Sequence, residues 1–327
     1  VGREDRLGEL MARYLLGRLL GLVTVLLITS FLVFSAVHLA PGDPVSFLLK
    51  GHPVSPETKA AIRAQYHLDD PFFTQYLKWV GNVLHGDFGR SVQFRHDVGS
   101  LIGSRLPSTA LLIGYSAVLA CLGGVLAGIL AALRPGVVDR VVLVCTGVAT
   151  ATPPFVSAIV LVSLFSVQLG WFPGPGAAGS GFADRLYHLT LPAFALAVTL
   201  AGLLARVTRS SMLDELRREH VEVARSRGVA EGAVVRRHVL RSALGPIVTV
   251  GGTMLAGLLV STSIVETAFN VSGVGSLLVQ SVTVKDFPVV QAITLITVAA
   301  FVLVNLVVDL LAPLIDPRLT LTRRGAS

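Results

Sequence analysis

Apolar residues gather along this chain in six long runs: residues 15–39, 109–133, 141–168, 189–207, 244–265 and 289–311. A helix needs about 20 mostly apolar residues to cross the hydrocarbon of a bilayer, and the runs meet or approach that length. In lipid a backbone must satisfy its own hydrogen bonds, which favours helices for such runs. The pattern predicts an all-α, polytopic membrane protein with six transmembrane helices. The first run begins beside Arg13 and Arg18 and is longer than the apolar core of a cleaved signal, about 7–15 residues. Pro41 directly follows Ala40, so the run reads as an uncleaved first span.

The polar stretches divide the chain further. Residues 41–107 form an extended external segment, with one or two short helices expected within 65–85. Pro153-Pro154 lies inside the third run. Proline removes a rung of the helix ladder, and lipid tolerates that only where protein or a cavity satisfies the freed groups. A kinked pore wall is expected there. Residues 171–184 make a Gly/Pro-rich loop with Trp171 and Phe172 placed as interface anchors. Residues 269–288 read as a loop, and Pro313 and Pro317 close the last span. The resulting divisions are 1–40, 41–107, 108–313 and 314–327.

Charge orients the chain. Arg3, Arg6, Arg13 and Arg18, the Arg134/Arg140 turn, the arginines of 206–241, and Arg318, Arg323 and Arg324 fall on one side. The short loops of the other side offer Arg185 and Lys285. The positive-inside rule places both termini in the cytoplasm.

Composition agrees with lipid surroundings. Of 327 residues, 53% are hydrophobic and 14% charged, against roughly 25% charged in a soluble domain. The net charge of +7 sits between bilayer-length runs, which argues for membrane lipid and against nucleic acid. Cys121 and Cys145 lie in apolar runs and read as small buried hydrophobes. They have no metal spacing.

Enzyme signatures are missing. The lysines are Lys50, Lys59, Lys78 and Lys285, and none follows a glycine, so a Gly-rich phosphate loop ending in Lys-Ser/Thr is absent. The eight histidines show no i, i+4 pair of the zinc-helix kind. An ion-coupled carrier, the rival class, would place ionisable residues near the midplane; no carboxylate pair is placed so. Glu266, Thr152, Pro153 and Asn305 remain as residues that could line a pathway.

The distinctive chemistry lies in 209–241. Met212, Leu213, Leu216, Val223, Val229, Val234 and Val235 recur among Arg and Glu at helix-like spacing. The order Glu222-Val223-Ala224-Arg225-Ser226-Arg227-Gly228, then Arg236-Arg237-His238-Val239-Leu240-Arg241, describes an amphipathic helix stopped at a glycine and a second basic helix returning to the membrane. Glycine takes the left-handed turn at low cost. Such a helix could lie on anionic lipid heads, or act as a lever for a docking partner.

The stretch resembles the "EAA" loop of bacterial ABC importer permeases, with Glu222, Ala224 and Gly228 at the expected spacing and Val223 in place of a second alanine. Other stretches resemble the dipeptide/oligopeptide branch: Arg209-Ser210-Ser211-Met212-Leu213, Pro41-Gly42-Asp43-Pro44, Leu68-Asp69-Asp70-Pro71, Gly86-Asp87-Phe88-Gly89-Arg90-Ser91, Arg105-Leu106-Pro107-Ser108-Thr109, Val265-Glu266-Thr267-Ala268-Phe269 with Gly273-Val274-Gly275, and Asp286-Phe287-Pro288. The long first external segment is similar to that of the "B"-type permease.

The resemblance implies a type I importer permease fold in the bacterial inner membrane. It implies a second, similar permease, two cytoplasmic ATPase subunits that carry ATP and Mg, and an external substrate-binding protein. Glu222, Ala224, Arg225, Gly228 and His238 would form the ATPase-coupling loop. The implied substrate is a di- or oligopeptide, with nickel chelates and glutathione as alternatives within the same branch.

Overall fold

Two successive residues that precede proline set the most abrupt feature of the backbone. The ring of a following proline drives a residue out of the α region. Thr152 accordingly adopts φ −86°, ψ 118°, and Pro153 adopts φ −62°, ψ 146°. The chain therefore bends by 105° between two apolar helices. The expected kinked third span is thus a broken one.

The computed structural model describes residues 4–39, 57, 70–176 and 181–315. Among them the elements are helical: α1 (Glu4–Leu39), α2 (Phe72–Leu84), α3 (Val98–Leu133), α4 (Val137–Ala151), α5 (Pro154–Leu161) continuing as a π-helical stretch (Val162–Gln168), α6 (Phe182–Leu216), α7 (Glu219–Ser226), α8 (Glu231–Val234) with a second π-helical stretch (Val235–Leu240), α9 (Arg241–Ala268), α10 (Val274–Thr283) and α11 (Phe287–Ile315). Five helices are long and apolar enough to cross a membrane, and the bent pair makes a sixth span if counted as one. The motif at 41–44, residues 68 and 69, and the tail from 316 onward lie outside the described residues.

Three boundaries differ from the expectation. α3 begins at Val98 and runs through Pro107, so the division at 107/108 falls inside a helix. Asp97 starts it: its carboxylate accepts the Ser100 N–H at 2.8 Å, a side-chain cap on an otherwise orphan donor. α10 occupies part of the supposed 269–288 loop. α11 continues two residues past Pro313.

The contacts divide the chain into two units, Val1–Pro107 with Leu277–Ala300, and Ser108–Ser276 with Phe301–Ser327. In the second, α6 is the axis: the apolar window of α6 is 61% buried, against 11% for α1. α4, α5 and α9 pack on it. Small residues allow close approach where lipid gives helices no hydrophobic reason to associate. A Cβ on Gly128 of α3 would fall 2.6 Å from the Ala205 carbonyl oxygen of α6. On another face, a Cβ on Gly202 would meet the Thr146 carbonyl of α4 at 3.0 Å.

In the first unit, α1 and α2 share an aromatic cluster. Phe34 lies 5.4, 5.5 and 5.6 Å from the rings of Phe72, Tyr76 and Trp79, and the Ser30 and Tyr76 hydroxyls bond at 2.8 Å. Asp286, 1% exposed, pins the loop before α3. Its carboxylate accepts the Ser91 hydroxyl at 2.5 Å and the N–H groups of Val92 and Gln93 at 3.2 and 3.0 Å. Cys121 is half-buried and Cys145 is exposed, a correction to both buried readings: on a lipid-facing helix, apolar residues point outward.

Candidate coupling site

α7 is built as a short, firmly stopped helix. Glu219 and Glu222 occupy its first turn and Arg225 its last, the arrangement the helix dipole favours. Val221 and Ala224 face inward, 0% and 6% exposed, and join Met212, Val234, Val239 and Ala243 in one apolar cluster. Gly228 has φ +76°. The Gly228 N–H donates to the Arg225 carbonyl at 2.9 Å and the Val229 N–H to the Ala224 carbonyl at 3.2 Å. This pair of bonds is the glycine stop that ends many helices.

Three ion pairs of arginine lie in and next to the loop. Arg225 forms a two-pronged pair with Glu231 across the glycine turn, at 3.1 and 2.6 Å. That hydrogen bond pushes the Arg225 guanidinium above its ordinary pKa. Farther up, Arg209 of α6 grips Asp139 of α4 at 2.5 and 2.7 Å, and both side chains are half-buried. Arg218 pairs with Glu215 at 3.1 Å.

The outer face of the loop carries an open concavity of about 500 Å³ lined by Glu219, His220, Val223, Ala224, Arg227, Val229 and His238. The His220 and His238 rings lie 6.5 Å apart on it. Ala224 is its least exposed lining residue and forms its floor over the apolar cluster.

The five residues expected to couple therefore differ in position. Glu222 is exposed and His238 lines the concavity. Gly228 makes the stop, Arg225 is engaged by Glu231, and Ala224 packs inward. His220, Glu231 and the Arg209–Asp139 pair were not foreseen. Arg209 stood in a quoted motif, but its partner is 70 positions away.

The residues expected to line a pathway have these surroundings. Glu266 is 0% exposed. Its carboxylate accepts the Thr109 hydroxyl at 2.6 Å and the Ser276 N–H at 2.9 Å. Thr109 in turn accepts the Val274 N–H at 2.8 Å. The carboxylate thus sits at the start of α10, where backbone donors are otherwise unpaired and the dipole favours negative charge. A Cβ on Gly273 would lie 2.2 Å from it, so glycine is required. The Thr152 hydroxyl bonds the Val148 carbonyl of its own helix at 2.7 Å. At the break, the Thr152 carbonyl accepts the Thr199 hydroxyl at 3.1 Å. Pro153 is exposed at the bend. Asn305 donates to the Phe301 carbonyl of its own helix at 2.9 Å.

Comparison with known proteins decides what this loop belongs to. Residues 124–321 match the model of the binding-protein-dependent transport system inner membrane component, and residues 11–113 match the model of that family's N-terminal membrane component. The chain belongs to this family. The permease is 37% identical over 319 residues to the oligopeptide transport system permease protein AppB of Bacillus subtilis, covering 94% of this chain and 99% of that one. It is 39% identical over 308 residues to the glutathione transport system permease protein GsiC of Escherichia coli K12, covering 94% and 98%.

Two solved structures share the fold. One is an amino acid ABC transporter crystallised with histidines, at TM-score 0.50 and 20% identity over 67% of this chain and 94% of that one. The other is the inward-facing MetNI methionine ABC transporter, at TM-score 0.53 and 18% identity over 66% and 96%. The permease is a multi-pass membrane subunit of an ABC importer, with the type I fold.

Proposed function

We propose that this permease forms half of a translocation path for short peptides, beside a second, similar permease. Two cytoplasmic ATPase subunits dock on α7 and carry ATP and Mg; an external binding protein delivers substrate. The observation that carries the reading is the build of α7: its inner face is bolted to the chain's own core while Glu222 and the concavity face outward. A partner that grips the outer face moves a rigid body joined to both α6 and α9. It shifts the permease between states only by binding them with different affinity.

The arginines of the 134–140 turn and of 206–241 support a cytoplasmic loop and cytoplasmic termini by the positive-inside rule. The family description and the bacterial relatives support the inner membrane. Peptide substrate is supported by relatives named for oligopeptide and glutathione transport, both of which are peptides.

Glu222→Lys and Gly228→Pro test the coupling role. Each is expected to abolish uptake of labelled peptide with the permease still present in membranes, and normal uptake by both variants would overturn it. Uptake of oligopeptides, glutathione and nickel chelates by cells lacking the gene tests the substrate. A defect confined to nickel chelate would remove the peptide assignment. Uptake that persists without any ATPase would support a carrier instead.

A further inference from the structure

α2 carries three distinct faces. At about 100° per residue, Phe72, Tyr76, Trp79 and Val83 fall on one sector, Phe73, Leu77, Val80 and Leu84 on the next, and Thr74, Lys78 and Asn82 on the opposite side. The first sector supplies the aromatic contacts to α1. The polar sector holds Lys78, paired with Asp70 at 2.8 Å. The middle sector is apolar and uncovered: Phe73 and Leu77 are each 68% exposed and Leu84 is 80% exposed.

The depth of α2 along α1 is readable from its contacts. The apolar run of α1 continues through Val37, and the first polar ring after it is His38. α2 touches the run at Ser30, Phe31 and Phe34. At 1.5 Å per residue these lie roughly 5–11 Å inside Val37, close to the depth at which interfacial helices bury their apolar face, about 5–10 Å. Phe72, Tyr76 and Trp79, about 10 Å of α2, all converge on the single ring of Phe34. With Ser30 and Phe31, the contacted stretch of α1 spans about 6 Å against about 10 Å of α2, the pattern of a helix that crosses α1 rather than running beside it.

We propose that α2 is an interfacial helix whose Phe73, Leu77 and Leu84 rest against the acyl chains of the leaflet around the C-terminal end of α1. Under the orientation proposed above this is the outer leaflet. The exposed stripe continues the uncovered apolar surface of α1, where Leu27, Ile28 and Leu32 are 53–60% exposed. Tyr76 and Trp79 supply the amphipathic rings typical of that depth. Thr74, Lys78 and Asn82 turn to water. A soluble partner on the stripe would have to enter the hydrocarbon, whereas lipid already lies there.

Nitroxide labels test the assignment. In a background of Cys121→Ser and Cys145→Ser, single variants Phe73→Cys, Leu77→Cys, Leu84→Cys, Thr74→Cys, Lys78→Cys and Asn82→Cys are labelled in the full chain. The protein is purified with its accompanying subunits and held in nanodiscs, where both faces are open to reagents. Labels at 73, 77 and 84 are expected to collide freely with oxygen and about tenfold less with a water-soluble nickel chelate than those at 74, 78 and 82, as exclusion from hydrocarbon requires. High chelate access at 73, 77 and 84 would overturn the proposal in favour of a water-facing surface. Low access to both reagents would overturn it in favour of a protein partner. For a labelled variant that does not reach the membrane, Trp79 fluorescence in a Trp171→Phe chain reads the same depth. Acyl chains brominated near the headgroup are expected to quench it, and absence of quenching would overturn the proposal. Neither readout needs transport, so a chain that takes up no peptide can still show the pattern.

Discussion

Glu222 on α7 and Glu266 before α10 both sit near helix N-termini, and both stand in stretches that resemble family motifs. Their surroundings are opposite. Glu222 is exposed, on a helix braced by Arg225 and Glu231 in solvent. Glu266 is 0% exposed and is held by the neutral donors Thr109 and Ser276. A buried carboxylate without adequate donors is costly, so this site tolerates little change. An exposed one is nearly free to change as far as folding is concerned. The same residue type is therefore part of the architecture in one region and an exposed group, available for the docking proposed above, in the other.

The sharpest break of that comparison is Gly273→Ala. The added methyl would overlap the Glu266 carboxylate, which can make room only by leaving the Thr109 hydroxyl and the Ser276 N–H that it accepts. Folded permease is expected to be nearly lost from membranes, measured by fluorescence-detected size exclusion. Glu266→Ala comes next. It orphans the Thr109 hydroxyl and the Ser276 N–H, and each buried unsatisfied group costs about 1–3 kcal/mol. A large fall in melting temperature is expected, and Glu266→Gln, which keeps one acceptor, falls between. An unchanged melting temperature in Glu266→Ala would mean that the bonds of Glu266 to Thr109 and Ser276 do not hold the helix start in place.

Asp286→Asn follows. Three donors converge on Asp286, and the amide oxygen of asparagine can serve only part of them. A loss of about 1–3 kcal/mol is expected for each donor left bare, read as faster proteolysis of the 85–97 loop together with a lower melting temperature.

The contrast explains what could be foreseen. The runs at 15–39 and 189–207 exceed what any soluble core would need, so the spanning helices were readable. Gly228 marked the stop of α7 because few other residues tolerate its φ. The extra helix α10 was hidden because its ten residues lie among Gly, Ser and Thr and show no long period. The bond between Glu266 and Thr109 spans 157 positions; no local pattern announces such a pair. Pro107 disguised the start of α3, which Asp97 caps earlier. Cys145 was misplaced because apolar residues in lipid face outward as readily as inward.

Arg209→Lys probes the intermediate case, a pair that is neither on the surface nor sealed. Lysine keeps the charge but loses the two-pronged grip on Asp139. Folding is expected to survive with a modest drop in melting temperature, and peptide uptake to fall further than the melting shift explains, because α6 would no longer hold α4 as α7 moves. Asp139→Asn combined with Arg209→Lys should do little more harm than either alone. Additive losses would mean the two residues act separately.

The smallest structural effect belongs to Arg225, and it separates two roles for a residue that the resemblance assigns to docking. Its guanidinium is already committed to Glu231 at 2.6 Å, in solvent, where such pairs add little stability. Arg225→Gln and Glu231→Gln are each expected to leave the melting temperature unchanged. If the pair serves to hold α7 against α8, both variants weaken uptake and the exchange of Arg225→Glu with Glu231→Arg restores it, since the staple is rebuilt with its charges swapped. If Arg225 is instead read by an ATPase, the exchange presents a carboxylate to a surface built for a cation, and uptake stays low. The two-pronged geometry favours restoration, which leaves the contact with the partner to Glu222 and the residues around the concavity.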